Sequence, residues 1–397
     1  MEIKRSVFNK LYNDLSVRQI TILVGPRQVG KTFLLRELDR RFQKKGLKTA
    51  FFDLEQPSDL ARFNEPDAQI IEWLSKAGDV IFIDEFHYLK NASKIFKALY
   101  DREARVKIYA SGSSALEIHT HLKESLAGRK FVYHIFPCSL EEMEQAVPKE
   151  TFCYYCIYGG MPGTIHFSSE EMKKQLLADI LQSYLLKDIK ALIREENLRA
   201  FNHLLYLLAQ FQGNIVSVES LGKEVGLTAH TISSYLDIMG QTYVNFPIYS
   251  YSRNYGNELK KSKKYYLFDI GIRNTLLKNF APLEEREDAG PIVESYVFSQ
   301  LQRQLSPETE IRFWRLKGGE EVDFVWIKNR QAYPIEVKLK WKGGEIPSGL
   351  KSYLRRYPKT KKAFVVSGQS GEQITFEAIP VQFKSFQEAG SIPKEIG

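Results

Sequence analysis

The chain alternates short, continuous apolar runs with stretches of helical periodicity. Ile20, Ile22, Leu23 and Val24 form an apolar, β-branched run, and Phe33, Leu34, Leu35 and Leu38 follow at helical spacing. Val80-Ile81-Phe82-Ile83, Val106-Lys107-Ile108-Tyr109-Ala110 and Phe131-Val132-Tyr133-His134-Ile135-Phe136 repeat the strand pattern. Runs this apolar read as parallel strands covered on both faces, so an α/β core is expected over residues 1–145. Residues 146–212 turn helical, with Leu176, Leu177, Ile180, Leu181, Tyr184 and Leu185 on one side and Leu204, Leu205, Leu207 and Leu208 in a second segment.

Within residues 213–284, Val218, Leu221 and Val225 face a core, Gly226 turns the chain, and Thr228 caps a second helix through Met239. Tyr243-Val244 and Ile248-Tyr249 then supply strands of a wing, which makes a winged helix. Residues 285–397 contain a second α/β pattern. Glu321–Ile327 and Tyr333–Leu339 flank the polar stretch Lys328-Asn329-Arg330-Gln331 and read as a hairpin. A two-residue turn at Asn329-Arg330 sets Lys328 opposite Gln331 and therefore Asp323 opposite Glu336. Alternation adds Lys338 to that face.

The chemistry concentrates at the ends of these elements. Gly25-Pro26-Arg27-Gln28-Val29-Gly30-Lys31-Thr32 lies between a strand and a helix, the context a phosphate-binding loop requires. Gly25 and Gly30 let the backbone curl so that its N–H groups face phosphate oxygens, and the helix N-terminus adds positive partial charge. Lys31 would reach the β- and γ-phosphates and Thr32 would ligate Mg²⁺. Asp84 and Glu85 end the strand that begins at Val80. Asp84 suits an outer contact to Mg²⁺, and Glu85 suits the base that polarises the attacking water. The run Ser111-Gly112-Ser113-Ser114 ends the next strand; its hydroxyls, Ser113 among them, either sense the γ-phosphate or cap the following helix.

Composition narrows the partners. A chain of 397 residues with 43% hydrophobic and 26% charged content fits two to four globular domains. A net charge of +8 makes an acidic polymer such as DNA a plausible partner. The helix Ala229–Asp237 has no Arg or Lys, so base readout is not expected from it. Arg253, Lys260, Lys261, Lys263 and Lys264, set among tyrosines, are better furnished for backbone contact. Three cysteines build no disulfide framework, and Cys153 and Cys156 read as packing on an aromatic helix. No apolar run spans a bilayer and no signal-peptide core opens the chain; a cytoplasmic location is expected, with no membrane role.

Residues 17–145 resemble the AAA+ family of bacterial and archaeal ATPases that carry a C-terminal domain of unknown function. The likeness continues through Gly159-Gly160-Met161-Pro162, Lys264–Gly271, Glu321–Phe324 and Pro334–Lys338. It implies a P-loop AAA+ core with a helical lid, then the winged helix, and an ATPase using ATP and Mg²⁺. It also implies that Arg129 is an arginine finger reaching a neighbouring subunit's γ-phosphate, as a homo-oligomer would require; the residues alone also fit a cation that complements a helix C-terminus. The order Glu294, Asp323, Glu336-x-Lys338 resembles the PD-(D/E)XK nuclease superfamily, although no Pro precedes Asp323. That likeness implies a nuclease-like domain in which Asp323 and Glu336 hold Mg²⁺, Glu294 supports it, and Lys338 orients water or stabilises developing charge. Two readings stand: an ATP-dependent enzyme processing DNA, and an ATP-driven switch whose terminal modules only bind DNA or a protein partner.

Overall fold

The computed structural model describes residues 3–102, 106–113, 126–183, 198–252, 263–341 and 344–396. The chain divides into two compact units, one built mainly from residues 1–138 and the other mainly from residues 139–397. No helix among the described residues is long and apolar enough to cross a membrane.

The first unit is a five-stranded sheet: β1 (Ile20–Gly25), β2 (Thr49–Asp53), β3 (Val80–Asp84), β4 (Lys107–Ser113) and β5 (Lys130–His134), in the order β2-β3-β4-β1-β5. Every pairing is parallel. All residues of β1 and β3 are buried, as strands covered on both faces must be. Helix α1 (Lys31–Lys44) covers one face with Leu34, Leu35, Leu38 and Phe42, and the Phe42 ring packs on Phe82 and Tyr109. The order places β1 between β4 and β5, so the loop leaving β1 sits beside the carboxyl ends of its neighbours, where ligands of open α/β sheets collect.

In the second unit the helical stretch contains α2 (Thr151–Tyr158), α3 (Glu170–Ser183) and α4 (Leu198–Gln210); Tyr184 and Leu185 lie outside the described residues. Cys153 and Cys156 lie on α2, Cys156 buried and Cys153 exposed. The strand β6 (Ile215–Val216), the helices α5 (Val218–Val225) and α6 (Ala229–Gln241), and the strands β7 (Asn245–Ser250) and β8 (Lys263–Leu267) follow. Ser217 caps α5, and Gly226 ends it in the left-handed region at φ 76°. Tyr243 and Val244 precede the strand instead of forming one, because Tyr243 turns at φ 59°. Arg253, Lys260 and Lys261 lie outside the described residues.

The last stretch holds α7 (Ile270–Leu277), α8 (Ala289–Gln302), α9 (Ser348–Arg356) and β9 (Thr309–Arg315), β10 (Glu321–Lys328), β11 (Gln331–Val337), β12 (Ala363–Ser367), β13 (Gly371–Phe376) and β14 (Ile379–Ser385). Strand β7 pairs antiparallel with β8 and parallel with β9, joining everything into one nine-stranded sheet. The expected boundary at residues 284/285 therefore divides a segment whose two sides share a sheet. The β10–β11 hairpin turns at Asn329 (φ 50°) and Arg330 (φ 63°), with Lys328 opposite Gln331, the two-residue turn its sequence calls for.

A lock ties α2 to α7. Asp269 caps α7 from the Ile272 N–H (3.1 Å) and also accepts the Gly160 N–H (2.8 Å). Asn274 donates to the Cys156 and Ile157 carbonyls at 2.9 and 2.8 Å. A side chain at Gly159 would run into the Asp269 carboxylate, and one at Gly271 into the Tyr158 carbonyl. Both glycine-bearing motifs are accounted for by this close approach.

Candidate nucleotide site and a second carboxylate cluster

The loop from Gly25 to Gly30 curls back on itself. Gln28 (φ 59°) and Gly30 (φ 96°) both lie in the left-handed region, and Lys31 opens α1. Lys31 is only 4% exposed, and its ammonium donates to the Gly25 and Pro26 carbonyls at 2.9 and 2.8 Å. Arg27 stands 3.6 Å from Glu55, and Val29 is fully buried beneath the loop. Arg5, which sequence reasoning missed, donates to the Val29 carbonyl (2.7 Å) and the Phe136 carbonyl (2.6 Å), tying the loop to the chain leaving β5. No local pattern announces a contact between residues 131 positions apart.

Asp84, 2% exposed, meets the hydroxyls of Ser111 and Thr32. Burial pushes its carboxyl above the usual range, and those two hydroxyls pull against that shift. Glu85 adopts φ 52°, ψ 46°, rare for a side chain of its size, and its carboxylate stands 3.1 Å from His87 Nδ1. Thus Lys31 and Thr32, which open α1 after β1, and Asp84 and Glu85, which end β3, meet at the carboxyl edge of the sheet, with β4 and its Ser111 between the two strands. Ser113 is the register partner of Gly25, which puts its backbone beside the loop. Yet Ser111 is the serine whose hydroxyl engages Asp84, and Ser114 lies outside the described residues.

Arg129 is at the other end of the sheet. Its carbonyl accepts the Ile20 N–H at the start of β1, about five residues or roughly 16 Å of strand from Gly25. The guanidinium grips Asp101 with both oxygens, at 2.8 and 3.3 Å. Arg129 cannot reach this chain's own loop, and any reach toward another copy requires release from Asp101.

The second cluster brings together the expected Glu294, Asp323, Glu336 and Lys338. Asp323 accepts the Val337 N–H at 2.8 Å, and Lys338 Nζ lies 2.6 Å from Glu336 Oε1. Glu336 is 4% exposed, and its Oε2 has no hydrogen-bond partner among the described residues. Burial pushes the carboxyls of Glu294, Asp323 and Glu336 upward. Glu321, Tyr266 and above all Lys264 complete the cluster unforeseen. In sequence Lys264 belongs to a basic stretch that reads either as a backbone contact for nucleic acid or as a solvated loop. Instead it is 1% exposed, with Nζ 3.0 Å from Glu294, 2.5 Å from Glu321 and 3.9 Å from Asp323. Alternation on β8 puts Tyr266 on the same face, where its hydroxyl donates to Glu294.

These residues do not fit the expected Mg²⁺. Among the described residues no group of three or more His, Cys, Asp or Glu side chains is arranged to hold a metal ion. The ammonium of Lys264 stands where Glu294, Glu321 and Asp323 converge.

Comparison with known proteins finds three matches along the chain. Residues 17–144 match the model of an AAA domain; residues 149–283 and 289–383 each match a domain of unknown function (DUF8612 and DUF4143). An uncharacterised protein of Mycobacterium tuberculosis is 23% identical over 392 residues, 98% of this chain and 86% of its own. Another, from Haemophilus influenzae, is 24% identical over 91% of this chain and 92% of its own. Among solved structures, AMPPCP-bound DnaA from Aquifex aeolicus is similar over 58% of this chain and 85% of that one, at 12% identity and TM-score 0.34. NtrX from Brucella abortus in complex with ATP covers 60% and 69%, at 12% identity and TM-score 0.28. Residues 17–144, whose parallel five-stranded sheet carries the loop from Gly25 to Gly30, are thus similar to an AAA domain.

Proposed function

We propose that this protein is a Mg²⁺-dependent ATPase whose nucleotide cycle switches the state of its second unit toward DNA or a protein partner. The observation that carries the reading is the convergence of Lys31, Thr32, Asp84 and Glu85 at the carboxyl edge of one parallel sheet. The Lys31 ammonium, held by two loop carbonyls, supplies the charge that a triphosphate requires. Thr32 and Asp84 suit Mg²⁺, a hydroxyl beside a buried carboxylate, and the ion would neutralise phosphate charge. Glu85 is the base that orients water, and its backbone holds the carboxylate at the strand end. Gly25, Pro26, Arg27, Gln28, Val29 and Gly30 form the cradle, with Ser113 flanking it.

The DNA-binding part of the proposal draws support from topology: α4, β6, α5, α6 and the β7–β8 pair follow one another as in a winged helix. Because α6 carries no Arg or Lys, contact with phosphates is the expected mode. Binding without cleavage is the version the second cluster favours, since Lys264 stands among its carboxylates.

Glu85→Gln is the test. The variant is expected to bind ATP within a few-fold of the natural chain, by equilibrium titration with a fluorescent analogue. Its steady-state hydrolysis is expected to fall by about a hundredfold or more. Equal loss of binding and turnover would contradict the role given to Glu85.

A further inference from the structure

We propose that Lys264 is the resident cation of the carboxylate cluster in the second unit, so that this site excludes divalent metal and fastens β8 to α8 and β10. The inference does not depend on the nucleotide site.

Three observations support it. The first is geometric. Lys264 Nζ lies 3.0 Å from Glu294 Oε1 and 2.5 Å from Glu321 Oε1, with Asp323 Oδ1 at 3.9 Å. Those oxygens come from the helix α8 and from β10, a strand separated from β8 in the sheet order by β9 and β7, so they converge on the ammonium through the fold, not through adjacency in sequence. The second is confinement. The Lys264 backbone pairs with Ile215 on one side and Ile248 on the other, and the side chain is 1% exposed. It cannot swing into solvent without opening the strand pairing. Phe313 adds a ring 5.7 Å from Nζ, which also favours a cation there.

The third is charge. Arg315 takes the other oxygen of Glu321 at 3.2 Å, and Lys338 takes Glu336 at 2.6 Å. Four carboxylates thus face three cations before any ion is added. Burial alone would push the Lys264 ammonium down, yet Glu294, Asp323 and Glu321 hold it above the usual lysine range. A divalent ion placed within a few ångströms of that ammonium would meet strong repulsion in a poorly solvated site. The Glu294 and Glu321 oxygens nearest that ammonium are already turned to it, so a divalent ion would have to displace the ammonium to use them.

The experiment uses the full chain without nucleotide and Mn²⁺ alone as the probe, read by electron paramagnetic resonance and by calorimetric titration. The natural chain and Asp323→Asn are expected to bind Mn²⁺ identically, because the cluster contributes no site in either. Lys264→Met is expected to gain a stoichiometric Mn²⁺ site, lost again in the double variant Lys264→Met/Asp323→Asn. A Mn²⁺ site in the natural chain that disappears in Asp323→Asn would overturn the proposal. So would a folded Lys264→Met protein that gains none. Should Lys264→Met fail to fold, the comparison of the natural chain with Asp323→Asn still decides whether the cluster holds metal.

Discussion

Lys31→Ala should hydrolyse ATP about a hundred- to a thousandfold more slowly than the natural chain at saturating Mg²⁺ and ATP. The ammonium is 4% exposed and held by the Gly25 and Pro26 carbonyls, so it is already placed before phosphate arrives. A charge fixed in a dry loop stabilises developing phosphoryl charge more than a mobile one in water, and it needs no reorganisation. Alanine removes that charge and leaves two inward carbonyls without their donor. A coupled-enzyme phosphate-release assay reads the turnover, and circular dichroism establishes that α1 and the parallel sheet persist. Near-normal turnover in a folded variant would remove the basis for the nucleotide site. Glu85→Gln separates the roles, because it should spare the affinity that Lys31→Ala is expected to weaken.

The largest effect on stability is expected at Asp269. Its carboxylate accepts the Gly160 and Ile272 N–H groups, and the Gly271 N–H as well, in full burial. Asp269→Ala leaves those donors without a partner and opens the lock between α2 and α7. The expected loss is about 3 to 5 kcal/mol, read by urea unfolding. Its pH dependence has a definite sign. Burial pushes the Asp269 carboxyl from 3.8 up to about 6, against the pull of the Gly160, Ile272 and Gly271 N–H groups. The folded chain therefore holds this proton more tightly than the unfolded one. That contribution is complete below 3.8 and is lost as the pH rises through about 6, a span of about 3 kcal/mol at most. The stability gap between the natural chain and Asp269→Ala should narrow from pH 5 to pH 7.5. A gap that widens over that range would mean the carboxylate is preferred as an anion.

What the sequence revealed and what it concealed differ in range along the chain. The loop at Gly25–Thr32, the strand ends at Asp84-Glu85 and the turn at Asn329-Arg330 are written in a few consecutive residues. Period-two alternation carried the hairpin register from the turn as far as Phe324 opposite Ile335, one residue short of Asp323 and Glu336, without help from the rest of the molecule. Arg5 beneath the loop, the Ser111 hydroxyl beside Asp84, and Arg129 on Asp101 depend on which strands become neighbours. Lys264 shows the limit most plainly. In sequence it stands in a basic stretch with Lys260, Lys261 and Lys263, where solvent is the natural expectation. Only folding reveals that β8 turns Lys264 and Tyr266 toward α8 while Lys263 lies against the Tyr249 ring.

The double pairing of β7 also bears on how the chain can be cut. Tyr249 and Ser250 lie beside Arg312 and Phe313, so severing the chain near residue 285 strips a neighbour from β9 and from β7 alike. Each fragment then presents raw backbone donors and acceptors along a fresh border, one of them next to the buried indole of Trp314. The lysine that neutralises Glu294 and Glu321 departs with the other piece. Such a fragment carries uncompensated acidity inside and an adhesive margin outside, and its natural fate is self-association.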